Sequence, residues 1–158
     1  MCIRDRLCAI QYHLTFWTSR TTPNGLAFPL ATVALTHVVH GRHAYKGLAL
    51  LAATAMMLRL ELVCLAVPAY LWTWWHHQRR FVYVFMTGAV TCAGSIALSV
   101  LVDSYFWRKR FLWPEGHAVI FNVIEGRSAE WGVSPPWTYV VRDLPRILFA
   151  AFPLALLG

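Results

Sequence analysis

The sequence predicts an all-α protein built as a bundle of membrane-spanning helices, and three observations carry that prediction. Hydrophobic residues make up 58% of the 158 residues and charged ones only 13%, where a soluble domain is about a quarter charged. The mean hydropathy is +0.51. The charges also fall between long apolar runs, not along one stripe or tail. The net charge of +7 therefore reads as basic loops between spans, and a nucleic-acid partner is not expected.

Met1-Cys2-Ile3-Arg4-Asp5-Arg6 looks like a translated sequencing adapter and is set aside from fold reasoning. Leu7 to Ser19 is apolar but too short to span alone. Thr21 to Gly41 holds no Asp, Glu, Lys or Arg over 21 residues, and Phe81 to Val102 none over 22. Each forms a helix of roughly 30 Å, the thickness of a hydrocarbon core, so spans are placed at 26–39 and 81–102. Between them, Gly47 to Leu58 is uncharged for 12 residues and Leu62 to Gln78 for 17, divided only by Arg59-Leu60-Glu61.

Loop charge sets the orientation. His40 to Lys46 and His76 to Arg80 are short, basic and free of acid, which puts both on the cytosolic side. The stretch 47–75 must then leave and return on one face, as a hairpin of two short helices with Arg59 and Glu61 at its tip. One long tilted span is the alternative. Arg59 and Glu61, two residues apart, would point to different sides of a continuous helix, which favours a break. Pro68 in the second arm is tolerable within a membrane bundle.

Residues 18–25 and 103–146 then fall on the opposite, luminal or external face. The second of these is long, rich in aromatics and broken by Pro114, Gly116, Gly126, Gly132 and Pro135-Pro136. Within it, Gly116 to Ile124 has the pattern of a helix lying in the membrane plane. Arg108-Lys109-Arg110 sits on this face against the charge rule. The run 147–158 starts a further span but reaches only about 18 Å as a helix, so the chain is expected to be an internal fragment of a longer one.

Soluble-enzyme motifs are missing: no glycine-rich phosphate loop, G-x-S-x-G, HExxH or CxxC occurs. Cys2, Cys8, Cys64 and Cys92 lack metal or disulfide spacing. His37, His40 and His43 recur every third residue, a row that fits interfacial anchoring better than metal binding. Trp74-Trp75 with His76-His77 reads as an aromatic belt. Ala89, Ala93 and Ala97, with Gly88 and Cys92, form a small-residue stripe for close helix packing. A transporter would carry ionisable groups inside its spans, and only Arg59 and Glu61 interrupt them here.

Chemistry concentrates on the luminal face. Arg20, beside Thr18, Thr21, Thr22 and Asn24, is suited to hold a phosphate through charge-assisted hydrogen bonds; a snorkelling interfacial arginine before a turn is the alternative. Asp103, followed by Ser104, ends an apolar run as either a helix-boundary residue or a base. Trp107, Trp113, Trp131 and Trp137 stack on sugar faces or anchor the loop at the headgroups.

Six blocks carry a resemblance. They are Gln11-Tyr12-His13-Leu14 with Ser19-Arg20-Thr21-Thr22-Pro23-Asn24, then Leu58-Arg59-Leu60-Glu61-Leu62, Val102-Asp103-Ser104-Tyr105-Phe106-Trp107, Leu112-Trp113-Pro114-Glu115-Gly116, Trp131-Gly132-Val133-Ser134-Pro135 and Leu144-Pro145-Arg146. In that order they resemble the dolichyl-phosphate-mannose-dependent mannosyltransferases of glycosyltransferase family 22. The nearest likeness is to the branch that adds an α-1,6-linked mannose to the N-glycan precursor, and the Asp-Ser-Tyr-Phe-Trp and Trp-Pro-Glu-Gly blocks discriminate best. The GPI-anchor and α-1,2 branches share fewer of these features. A non-catalytic multi-pass protein is the other alternative.

The resemblance implies a multi-span GT-C fold in the endoplasmic reticulum membrane. It also implies mannose transfer from dolichyl-phosphate-mannose to a lipid-linked oligosaccharide in the lumen, with polyprenyl-linked donor and acceptor as the partners within the bilayer. No cofactor or metal is expected. Arg20, Thr21 and Asn24 match one substrate-binding block, Asp103 and Trp107 a second, and Trp131, Gly132 and Ser134 a third. The family's catalytic base, an acidic residue, is expected in the first luminal loop, outside this chain, with Asp103 as the in-chain candidate for that role.

Overall fold

The computed structural model describes residues 21–76 and 80–148. Met1 to Arg20, the short stretch 77–79 and residues 149–158 lie outside the described residues, and with them the adapter-like start, Arg20 and most of the last apolar run. Among the described residues all regular structure is helical, and the chain divides into two compact units at Ile120/Phe121.

Helix α1, Pro23–His40, starts where Thr22 caps it: the Thr22 hydroxyl oxygen accepts the Gly25 N–H at 3.2 Å, and Pro23 fills the first position, where no N–H is needed. It ends at Gly41, whose left-handed backbone returns its N–H to the carbonyls of His37 and Val38. Helix α2, Ala44–Met57, follows after a three-residue turn, and a 3₁₀ turn, Leu60–Leu62, leads into α3, Val63–His76. The stretch 47–75 is thus two antiparallel helices broken at Arg59. Pro68 is carried inside α3. At about 1.5 Å per residue α1 is roughly 27 Å long and α2 and α3 roughly 21 Å each.

The central contact is α1 on α2. Ala27, Ala31, Ala34 and Val38 are buried on α1, and the last three pack with Gly47, Leu48 and Leu51 of α2. Gly47 is required by closeness, because a Cβ there would lie 2.5 Å from the Ala34 carbonyl oxygen. Tyr70 of α3 crosses to donate its hydroxyl to the Leu48 carbonyl at 3.2 Å. Small residues at crossings and large ones outside are the usual way helices associate in lipid.

Helix α4, Phe81–Trp107, is the one helix among the described residues long and apolar enough to cross a membrane, with a mean hydropathy of 1.9 over its best window. Val84 buries its side chain in the core, and the inward residues that follow are small or polar, Gly88, Cys92, Ser95 and Ser99, with Gly88 against the Tyr70 ring. Ala89, Ala93 and Ala97 are exposed, so the packing stripe runs on the neighbouring face. Phe85, Val90, Leu98 and Leu101 also point outward, an exposed apolar surface that is rare in water and costs nothing against acyl chains. The helix continues five residues beyond Val102, taking in Asp103 to Trp107. A single carboxylate at a helix end does not stop a helix whose next residues are aromatic and unbroken by Gly or Pro.

After α4 the chain turns through Arg108 and Phe111, both left-handed (φ 53° and 55°), into the short helix α5, Pro114–Val119, which runs on as a π-helical turn, Ile120–Ile124. The second unit, in its described part 121–148, contains a 3₁₀ turn at Arg127–Trp131, a π-helical turn at Tyr139–Asp143 and a helix α6, Leu144–Leu148.

Candidate functional site

The start of α1, the tip between α2 and α3, and the segment 112–116 meet at one end of the first unit. The tip is built by a helix that fails to continue. The N–H groups of Leu58 and Arg59 both return to the Thr54 carbonyl (3.0 and 3.3 Å), and Arg59 then swings to extended backbone at φ −154°. In an unbroken helix the Leu60 N–H would bond to the Met56 carbonyl. The break separates them and leaves each without its helical partner.

Two side chains from one distant segment replace both lost partners. The Trp113 indole N–H donates to the Met56 carbonyl at 3.1 Å, and Glu115 Oε2 accepts the Leu60 N–H at 2.9 Å. Gly116 completes the clamp, since a Cβ there would fall 2.2 Å from Cε3 of the Trp113 ring. The Leu-Arg-Leu-Glu-Leu and Trp-Pro-Glu-Gly blocks are thereby held together, although their contacting residues are more than fifty positions apart.

Held this way, the tip displays an ion pair. Arg59 binds Glu61 through two hydrogen bonds, Nε to Oε2 at 3.1 Å and Nη2 to Oε1 at 2.9 Å, the fork-on-carboxylate geometry that fixes both side chains. The side chains are 40% and 70% exposed. They border an open-sided cleft of about 460 Å³ whose walls are mostly apolar: Ala27, Phe28, Ala31 and Leu35 from α1, and Leu62 and Leu65 from the tip and α3. Asn24 and Thr32 add polar groups. From Asn24 to Leu35 the cleft follows α1 for about 16 Å.

Of the substrate-binding residues expected from sequence, Asn24 lines this cleft and Thr21 is exposed just before α1. Arg20 lies outside the described residues. Asp103 and Trp107 are on α4 and do not line the cleft. Asp103 Oδ2 accepts the Ser99 hydroxyl one turn earlier, at 2.7 Å. Ser104 Oγ accepts the Leu112 N–H at 2.9 Å, closing the turn that delivers Trp113 to the tip. Tyr105, Phe106 and Trp107 are exposed.

Trp131, Gly132 and Ser134 belong to the second unit. Trp131 closes its 3₁₀ turn, its side chain lying outside the described part; Gly132 has φ 109°, and Ser134 is exposed. In the same unit Arg127 bonds Glu130 (2.7 and 3.1 Å) and Glu125 (3.4 Å), and lies 4.5 Å over the Phe121 ring. The Glu130 hydrogen bonds push the Arg127 guanidinium above its usual range, and the Arg142 hydrogen bond holds the Asp143 carboxyl below its own.

His37 and His43 meet edge-on at 5.8 Å, while His40 Nδ1 lies 2.8 Å from the Thr36 carbonyl oxygen. Among the described residues no three His, Cys, Asp or Glu side chains converge on one point.

Residues 5–158 match the Alg9-like mannosyltransferase family. An Arabidopsis thaliana protein named Dol-P-Man:Man(7)GlcNAc(2)-PP-Dol alpha-1,6-mannosyltransferase is 32% identical over 150 residues, covering 95% of this chain and 30% of that protein. A Saccharomyces cerevisiae protein of the same name is 34% identical over 139 residues, 87% of this chain and 25% of that protein. A Schizosaccharomyces pombe protein with that name, qualified as probable, is 33% identical over 141 residues, 85% of this chain and 24% of its own. The chain spans less than a third of the length of these relatives. No solved structure matches it.

Proposed function

The chain belongs to the Alg9-like mannosyltransferase family, and from that premise we propose that the full-length protein carrying it transfers mannose from dolichyl-phosphate-mannose to a lipid-linked oligosaccharide. The linkage formed is α-1,6, and the enzyme is a multi-span GT-C bundle in the endoplasmic reticulum membrane with its site on the luminal side. The observation that carries this reading is identity of 32–34% to relatives of that name over 85–95% of the chain. The apolar outer face of α4 supports a membrane setting.

The reaction sets the requirements of the site. The donor's phosphate departs as an anion, so a cation at the bilayer surface stabilises the transition state, and a carboxylate on the other side of the sugar takes the acceptor's hydroxyl proton. We assign the phosphate to Arg20 with Thr21 and Asn24, and sugar contacts to Trp107, Trp131, Gly132 and Ser134. Because both substrates carry polyprenyl tails, a site at helix ends lets the tails stay in lipid while the sugars react in water. No metal enters this scheme.

Asp103 is the in-chain candidate for the base. Asp103→Asn keeps an oxygen to accept the Ser99 hydroxyl and removes the basicity. Abolished transfer at normal protein level assigns Asp103 that role, and near-normal transfer removes it from contention. The functional reading itself is tested in cells lacking the enzyme that adds the eighth mannose. Supplying the full-length protein should restore the longer lipid-linked glycan; a truncated glycan persisting at good expression refutes the reading.

A further inference from the structure

The Arg59–Glu61 pair is unusual in its surroundings. It is the only pair of charged side chains between Gly47 and Gln78, it stands on a break that two long-range hydrogen bonds hold open, and it borders an apolar-walled cleft. The two side chains are 40% and 70% exposed, so their remaining donors and acceptors are open to a ligand in the cleft. The chemistry of the pair is specific. Glu61 takes two of the guanidinium donors and balances the charge, so the pair as a whole is neutral. The remaining guanidinium N–H groups and the carboxylate's spare lone pairs then lie side by side. Adjacent donors and acceptors on a rigid frame complement neighbouring hydroxyls, each of which donates and accepts, better than they complement a phosphate, which only accepts.

Resting on the function proposed above, we infer that the Arg59–Glu61 pair is a binding point for sugar hydroxyls of the lipid-linked substrate, and that Trp113 and Glu115 are positioning residues that hold the hairpin tip so the pair faces the cleft. Trp113 and Glu115 act through the tip backbone. Without Glu115 the Leu60 N–H loses its partner, and the 3₁₀ turn carrying Glu61 is free to rejoin α2 as continuous helix, which would carry Arg59 and Glu61 to different sides. The clamp therefore selects the broken form in which the two side chains meet.

The test uses the full-length protein in native-composition membranes, with KM and kcat measured separately for dolichyl-phosphate-mannose and for the lipid-linked oligosaccharide. Arg59→Ala should raise KM for the oligosaccharide about tenfold, the loss expected for a hydrogen bond to a charged group, with kcat changed far less. Glu115→Ala should reproduce that KM rise, and Glu115→Gln, which keeps an accepting oxygen, should restore it to near wild type. Trp113→Phe keeps the ring packing and removes the N–H, so it should also raise KM. The triple variant Arg59→Ala/Glu61→Ala/Glu115→Ala should be no worse than Arg59→Ala/Glu61→Ala, because Glu115 acts through the pair.

Protein level and melting midpoint are recorded for every variant, and each KM is taken on folded protein. Variants that lose activity only in proportion to protein level, with KM unchanged, overturn the inference. So do a triple variant worse than Arg59→Ala/Glu61→Ala, a Glu115→Gln as damaged as Glu115→Ala, and a KM rise confined to dolichyl-phosphate-mannose. A wild-type protein with no transfer at all would instead defeat the functional reading on which this rests.

Discussion

Gly47→Ala tests the packing on which the first unit depends. A methyl group at Gly47 would lie 2.5 Å from the Ala34 carbonyl oxygen, 2.9 Å from His37 Cβ and 3.0 Å from Val38 Cγ2. The first two are backbone or fixed directly to it, so no rotamer change relieves them. Ordinary contact begins at 3.4 Å, and α1 must retreat by about 3.4 − 2.5 = 0.9 Å. A gap of that size forfeits about a quarter to a half of each dispersion contact it opens, and the fully buried Leu48 and Leu51 are on the same helix beside it. Overpacking of this kind costs about 1–3 kcal/mol, and replacing a helical glycine with alanine returns about 1 kcal/mol. The clash wins, leaving a net loss of about 1 kcal/mol.

Gly94 supplies the control. It lies in α4, and apart from its chain neighbours and its own helix's backbone nothing stands within 4 Å of where an alanine methyl would be, so Gly94→Ala has only the propensity term and should be neutral or stabilising. Thermal melting of the detergent-solubilised full-length protein reads both. The expected order of midpoints is Gly94→Ala at or above wild type and Gly47→Ala below it. Gly47→Ala melting at or above wild type would refute the close crossing of α1 and α2.

Two further predictions rest on single contacts. Thr22→Ala removes the side-chain cap on the Gly25 N–H and should destabilise the start of α1 by about 1 kcal/mol, seen as faster amide exchange at Gly25; Thr22→Ser should restore protection, and unchanged exchange in Thr22→Ala contradicts the cap. Arg142 holds the Asp143 carboxyl below its ordinary value of 3.8. That pairing is complete above the ordinary carboxylate range and is lost as pH falls through the depressed midpoint. An NMR titration of Asp143 should give a midpoint below 3.8 that Arg142→Gln raises, and a midpoint at or above that value contradicts the pairing.

The fold was legible where charge marks the ends of apolar runs. Thr21 to Gly41 covers α1, and Phe81 opens the charge-free run and α4 together. Arg59 and Glu61 mark the break because two charges at that spacing cannot share a helix face. Asp103 misleads for the opposite reason: Ser99, one turn earlier, satisfies its carboxylate, and the helix runs on. The face that α4 buries was also hidden, since Ala89, Ala93 and Ala97 are as small as Gly88 and Ser95, and the row that packs is set by the neighbouring helices, with Val84 in the core and Gly88 against the Tyr70 ring. Trp113 and Glu115 stood out as members of a block, but the backbone groups they satisfy exist only because the helix breaks more than fifty residues earlier. A long-range contact to an unpaired main-chain group leaves no periodicity to read.

Mannose transfer is measured on purified full-length protein. Incubated with dolichyl-phosphate-mannose and the lipid-linked oligosaccharide bearing seven mannoses, it should add one hexose, detected by mass, and the new residue should be released by an α-1,6-specific mannosidase. No gain of a hexose by well-folded protein, or a gain resistant to that mannosidase, contradicts α-1,6 mannose transfer by this protein.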